Sequence, residues 1–140
     1  MSYFVCLAMP QEAVSSLRSS FNQVIYLTDV SSLPIGAITR GKNTSWSAYL
    51  LQIGSSSASL LGKGSTRKTH NSDRSELFIS GIQSLMINPA CSSVSFLVHW
   101  MQGLIAAEEI TIKQEQQIRL QDTAQFVLNL EEDVRYVVLK

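Results

Sequence analysis

Two histidines, two cysteines and two short runs of carboxylates are the residues on which any chemistry in this chain would have to rest. His99 sits inside Ser93-Val94-Ser95-Phe96-Leu97-Val98-His99-Trp100-Met101, and no acid, nucleophile or metal partner stands beside it in sequence. A Ser-His-acid set would need a serine held in a strained turn, but the serine clusters around Ser55 and Ser92 contain no G-x-S-x-G elbow. The stretch Gly62-Lys63-Gly64-Ser65-Thr66-Arg67-Lys68-Thr69 nearly spells a P-loop. Arg67 replaces the glycine that would let backbone amides turn toward phosphate, so no nucleotide cradle is expected. The same residue spoils a G-x-G-x-x-G reading. Lys63, Arg67, Lys68, His70 and Arg74 form a basic cluster without an aromatic residue to stack a base, which reads as a solvated loop rather than a nucleic-acid surface.

The carboxylate runs are Glu108-Glu109 and Glu131-Glu132-Asp133. Neighbours on a strand point to opposite faces, so these make poor acid-base dyads unless the fold joins distant ones. They read as solvated charge before a strand, or as an acidic rim facing a basic partner. Cys6 and Cys91 lack the histidine clusters of a zinc site and the number of a disulfide framework, so both are expected reduced and buried, with no metal and no cofactor.

Positioning these groups requires a core, and the 140 residues with 45% hydrophobic content are enough for one domain, 1–140, that buries its own. Eleven basic residues balance eleven acidic ones, which removes any whole-molecule attraction to nucleic acid or anionic membrane. No stretch approaches the ~20 apolar residues of a membrane span, and the apolar N-terminus lacks a basic flank and meets Pro10, so it reads as a first strand of a cytoplasmic protein. Residues 93–101 are apolar nearly throughout, the pattern of a central strand covered on both faces.

Ala13, Val14, Leu17 and Phe21 fall at helical spacing after Pro10 and predict a helix of about three turns. Residues 23–27 read as a strand, and 35–39 as another that turns at Arg40-Gly41-Lys42-Asn43 into a hairpin with 45–53. Residues 54–72 form a polar surface loop, closed by the capping pattern Asp73-Arg74-Ser75-Glu76 before a helix lined by Phe78, Ile82, Leu85 and Met86 and stopped by Asn88-Pro89. Ile110, Ile112 and Lys113 suggest a strand returning in a hairpin, Asp122-Thr123 a helix cap, and Val134 to Leu139 a last strand that could pair with another chain if left at an edge. The class expected is α+β: a mixed, mainly antiparallel sheet with about three helices mostly on one face.

Leu97-Val98-His99-Trp100-Met101-Gln102-Gly103 followed by Glu108-Glu109-Ile110 resembles a group of small bacterial α+β proteins. In them a leucine-x-histidine-tryptophan or phenylalanine strand runs into tyrosine-serine-glycine and then an acidic patch. Thr39-Arg40-Gly41 matches their threonine-x-glycine turn, whereas residues 43–46 lack the cysteines that come after it in that group. In size, charge and class the chain is also similar to bacterial immunity proteins, such as those of contact-dependent inhibition, which block a cognate toxin. That similarity implies a non-catalytic module whose partner is a toxin domain, with Glu108, Glu109, Glu131, Glu132 and Asp133 as contacts for a basic nuclease, Trp46 and Tyr49 as aromatic anchors, and Trp100 and Tyr136 as further aromatics to test. The competing expectation is a small hydrolase or transferase that uses His99 with a serine or carboxylate brought near by the fold.

Overall fold

A computed structural model describes residues 2–21, 24–53, 78–101, 109–123 and 130–140. Its centre is a six-stranded sheet of β1 (Ser2–Met9), β2 (Val24–Asp29), β3 (Ser47–Ile53), β4 (Ser93–Met101), β5 (Gln114–Arg119) and β6 (Val134–Leu139), in the order β2-β3-β1-β4-β6-β5. All neighbours are antiparallel except β5 and β6, which run parallel. A 3-10 segment, Gln11–Ser16, leads into α1 (Leu17–Ser20), α2 spans Pro34–Arg40, and α3 occupies residues 78–85. The result is the expected α+β domain with a mixed, mainly antiparallel sheet.

The apolar run 93–101 takes a central place, and the pleat sorts its side chains. Val94, Phe96 and Val98 join Val5, Leu7 and Met9 of β1 and Val134, Tyr136 and Val138 of β6 under α1 and α3. Leu97 joins Cys6 and Ala8 of β1 and Ala48 and Leu50 of β3 under α2. Both faces are therefore covered, which is why neither β1 nor β4 shows polar alternation. On the first face the rings of Phe21 and Phe78 lie 6.1 Å apart, Phe78 meets Phe96 edge-on at 4.9 Å, and Phe96 stacks on Tyr136 at 5.2 Å. α3 buries Phe78, Ile82 and Leu85, with Met86 just beyond, as its spacing predicts.

Four local expectations change. Residues 35–39 are helical instead of extended: Pro34 takes a first-turn position, where its fixed φ suits a helix, and Ile35 and Thr39, four apart, both turn inward. β3 therefore pairs with β1 and β2, and no 35–53 hairpin exists. The segment after Pro10 is 3-10 over Gln11–Ser16 with one α-helical turn after it, and Ser19 spends its hydroxyl on the Ser16 carbonyl at 3.0 Å in this serine-rich stretch. Residues 109–113 are irregular, with Ile110 buried beside Leu97. The strand starts at Gln114 and pairs in parallel with β6. β6 consequently lies between β4 and β5, so the terminal strand is not an edge.

The polar loop at 54–72, the basic cluster, the 73–76 cap and the helix expected after Asp122 through residue 129 fall outside the described residues, except that Leu120–Asp122 forms a 3-10 turn. No helix among the described residues is long and apolar enough to cross a membrane.

Candidate functional site

Strand alternation places His99 on the α2 side of β4, opposite Phe4 of β1, where it is only 6% exposed. Facing it is the turn that leads into β6. Asp133 is the one non-glycine residue with positive φ, 59°, among those described. Aspartate tolerates this left-handed region better than most side chains. In that conformation its backbone N–H donates to the Val98 carbonyl at 2.9 Å, its carbonyl accepts from Lys113 N–H at 2.9 Å, and its carboxylate Oδ1 lies 2.7 Å from His99 Nδ1. Two residues earlier, Glu131 N–H donates to the Tyr136 hydroxyl at 2.8 Å, and Tyr136 is held by its stack on Phe96.

The left-handed residue also aims side chains that an extended strand would separate. Donor atoms of His99, Glu132 and Asp133 lie within 4.8 Å of one another. One imidazole and two carboxylates from this cluster could hold a proton between them or a cation. As a catalytic base His99 would have to reach a substrate, and its side chain is 8% exposed, packed behind the turn rather than open in a cleft.

Two residues beyond Asp133 lies a different device. Arg135 reaches across the α2 face, where Nε donates to the Thr39 carbonyl at 2.8 Å and Nη2 to the Arg40 carbonyl at 3.1 Å, while Nη1 pairs with Glu115 of β5. Ser95 Oγ also donates to the Thr39 carbonyl, at 2.6 Å. A guanidinium on the last carbonyls of α2 is the favourable sign at a helix C-terminus, although burial lowers its pKa from the usual value.

The remaining expected site residues scatter. Glu109 is exposed on the irregular segment before β5, Glu131 and Glu132 are half-buried, and Glu108 lies outside the described residues. Trp46 packs beside α2 at the start of β3, at the end of the sheet away from the acidic turn. Tyr49 is on the other face, in a cleft of about 240 Å³ shared with Val14, Ser15, Leu17, Arg18 and Leu27. Burial raises the Tyr49 hydroxyl pKa; nearby Asp29 adds to the rise and Arg18 opposes it. The fold thus gathers His99 with Glu132 and Asp133 and does not bring the two aromatics to them. His99 and the acidic run were each visible in the sequence, but their contact spans 34 residues and depends on one backbone angle. The clasp of Arg135 on α2 had no sequence signal. Compared with known proteins, the chain matches no family, no curated protein and no solved structure.

Proposed function

We propose that this chain is a non-catalytic protein-binding module of the cytoplasm, most concretely an immunity protein that binds a bacterial toxin domain and covers its active site. The observation that carries this reading is the tethering of the 131–133 turn. Two backbone bonds at Asp133, one at Glu131 and the carboxylate-imidazole contact fix an acidic turn to a packed sheet. A preorganised charged edge loses little conformational freedom when a partner docks, which favours affinity. On a molecule of zero formal net charge, such an edge is also what orients a basic partner during encounter. Glu131 supplies charge at this turn, Glu109 adds charge on the exposed segment before β5, and Trp46 or Tyr49 would anchor only a partner large enough to wrap round the sheet.

The test is stoichiometric inhibition of a toxin domain encoded beside this chain, repeated with the charge-reversed variant Glu109→Lys/Glu131→Lys. One-to-one neutralisation by the parent chain and slower association by the variant are expected. Absence of binding to every neighbouring gene product would overturn the proposal. A second reading, a small hydrolase or transferase, draws on the 2.7 Å contact between Asp133 and His99, an arrangement that fixes an imidazole for proton transfer. It predicts turnover that disappears in His99→Ala.

A further inference from the structure

We infer that His99, Glu132 and Asp133 form a binding site for a divalent transition-metal ion of the zinc type. Three features of the molecule lead there. The donors are an imidazole and two carboxylates, a nitrogen and oxygen set suited to Zn²⁺ and its neighbours in the first transition row. The imidazole is not a surface group: His99 is 6% exposed and is held by β4 in the middle of the sheet, so its position is set before any ion arrives. The two carboxylates come from adjacent residues that would diverge on a strand, and the positive φ of Asp133 turns both toward the ring, to within 4.8 Å.

The donors lie near the spacing of a coordination sphere. Ligands held at about 2.0 to 2.2 Å by a tetrahedral ion lie about 3.3 to 3.6 Å apart, so the widest pair of donors closes by up to roughly 1.4 Å, a shift within reach of the rotatable Glu132 side chain. His99 Nδ1 and Asp133 Oδ1, at 2.7 Å, are slightly closer than two ligands of one ion and spread apart as it enters. With the ion on Nδ1, the imidazole is neutral and carries its proton on Nε2. The three protein donors leave at least one position for water or for a donor from outside the chain.

This inference goes beyond the toxin-binding reading and is tested without a partner. The full chain, freed of metal with a chelator, is titrated calorimetrically with ZnCl₂, MnCl₂ and MgCl₂. The expected result is one zinc ion per chain, with magnesium at least ~100-fold weaker because it prefers all-oxygen coordination. Glu132→Gln and Asp133→Asn should each weaken zinc by ~10-fold or more. Asparagine also accepts the left-handed backbone, so Asp133→Asn keeps the turn, and circular dichroism of the metal-free variants checks that they are folded. In the parent chain, zinc should move the ring ¹⁵N resonances of His99. The inference is overturned if zinc binds no tighter than magnesium, or if folded Glu132→Gln and Asp133→Asn chains retain parental zinc affinity, which would put the ion on the cysteines or His70. Loss of this site would leave charge reversal at Glu109 and Glu131 as an independent test of partner binding.

Discussion

Burial decides what each reactive side chain in this protein can do. Cys6 is fully buried between β1 and α2, with its thiol 3.9 Å from the Ile35 carbonyl, and burial pushes its pKa from 9.0 to about 12. The thiolate is the nucleophile, so at pH 8 the native chain should alkylate at Cys6 only at its unfolding rate, while denatured chain reacts at once. Mass spectrometry after iodoacetamide treatment reads this, and rapid native labelling at Cys6 would contradict it. The raised value also sets a sign for stability. Below pH 9.0 both states hold the proton; between 9.0 and about 12 only the folded state does, so stability falls across that window by on the order of 4 kcal/mol. Urea melts from pH 8 to 11 should show the decline, and Cys6→Ala should flatten it. Gly41 is a second residue whose type is dictated locally. Its φ is 57°, and a Cβ there would lie 2.6 Å from the Arg135 guanidinium carbon. Gly41→Ala should therefore destabilise by about 1–3 kcal/mol, through backbone strain and displacement of the Arg135 clasp. A chain that melts at the parental urea concentration would show the clasp to be dispensable.

At the scale of elements, legibility tracked the reach of the interactions. β1, β4, β6 and α3 declare themselves because unbroken apolar runs and three-to-four spacing arise from burial of the element itself. α2 was hidden. Ile35 to Thr39 is short and apolar on both sides, and only its packing, with Gly36 pressed against the Val30 carbonyl, shows it to be a helix. A Cβ on Gly36 would lie 2.0 Å from that oxygen, so Gly36→Ala should cost about 1–3 kcal/mol by forcing α2 away from the Val30–Ser31 backbone. Denaturant melts measure this, and an unchanged midpoint would contradict the packing described. β5 was misplaced for a different reason. Ile110 and Ile112 look like a pleat, yet they anchor an irregular crossing, and the strand itself reads Gln114-Glu115-Gln116-Gln117-Ile118-Arg119, mostly polar because it lies at the edge. The acidic turn depends on Tyr136, five residues on, whose hydroxyl the sequence does not reveal as an acceptor. Tyr136→Phe removes the acceptor of the Glu131 amide, and should cost about 1 kcal/mol and speed hydrogen exchange at that amide.

For the whole molecule, charge is balanced overall and uneven in place. The sequence displayed the acidic residues and His99 separately; their union required β4 and β6 to lie side by side with Asp133 in a left-handed turn. Among the described residues the 131–133 turn is an acidic segment tethered to the sheet, and Coulomb attraction from such a segment acts over about 10 Å before salt screens it. Its contribution belongs to the rate of encounter more than to the lifetime of the complex. For the proposed function the decisive quantity is the association rate of the purified chain with candidate toxin domains encoded beside it, measured by stopped flow at low and high salt. Fast, one-to-one association that slows steeply as salt rises is expected, together with a Glu109→Lys/Glu131→Lys chain that is slower and far less salt-sensitive. Equal rates and equal salt dependence for the two chains, or no association at all, would refute a role for the acidic edge in capturing a toxin.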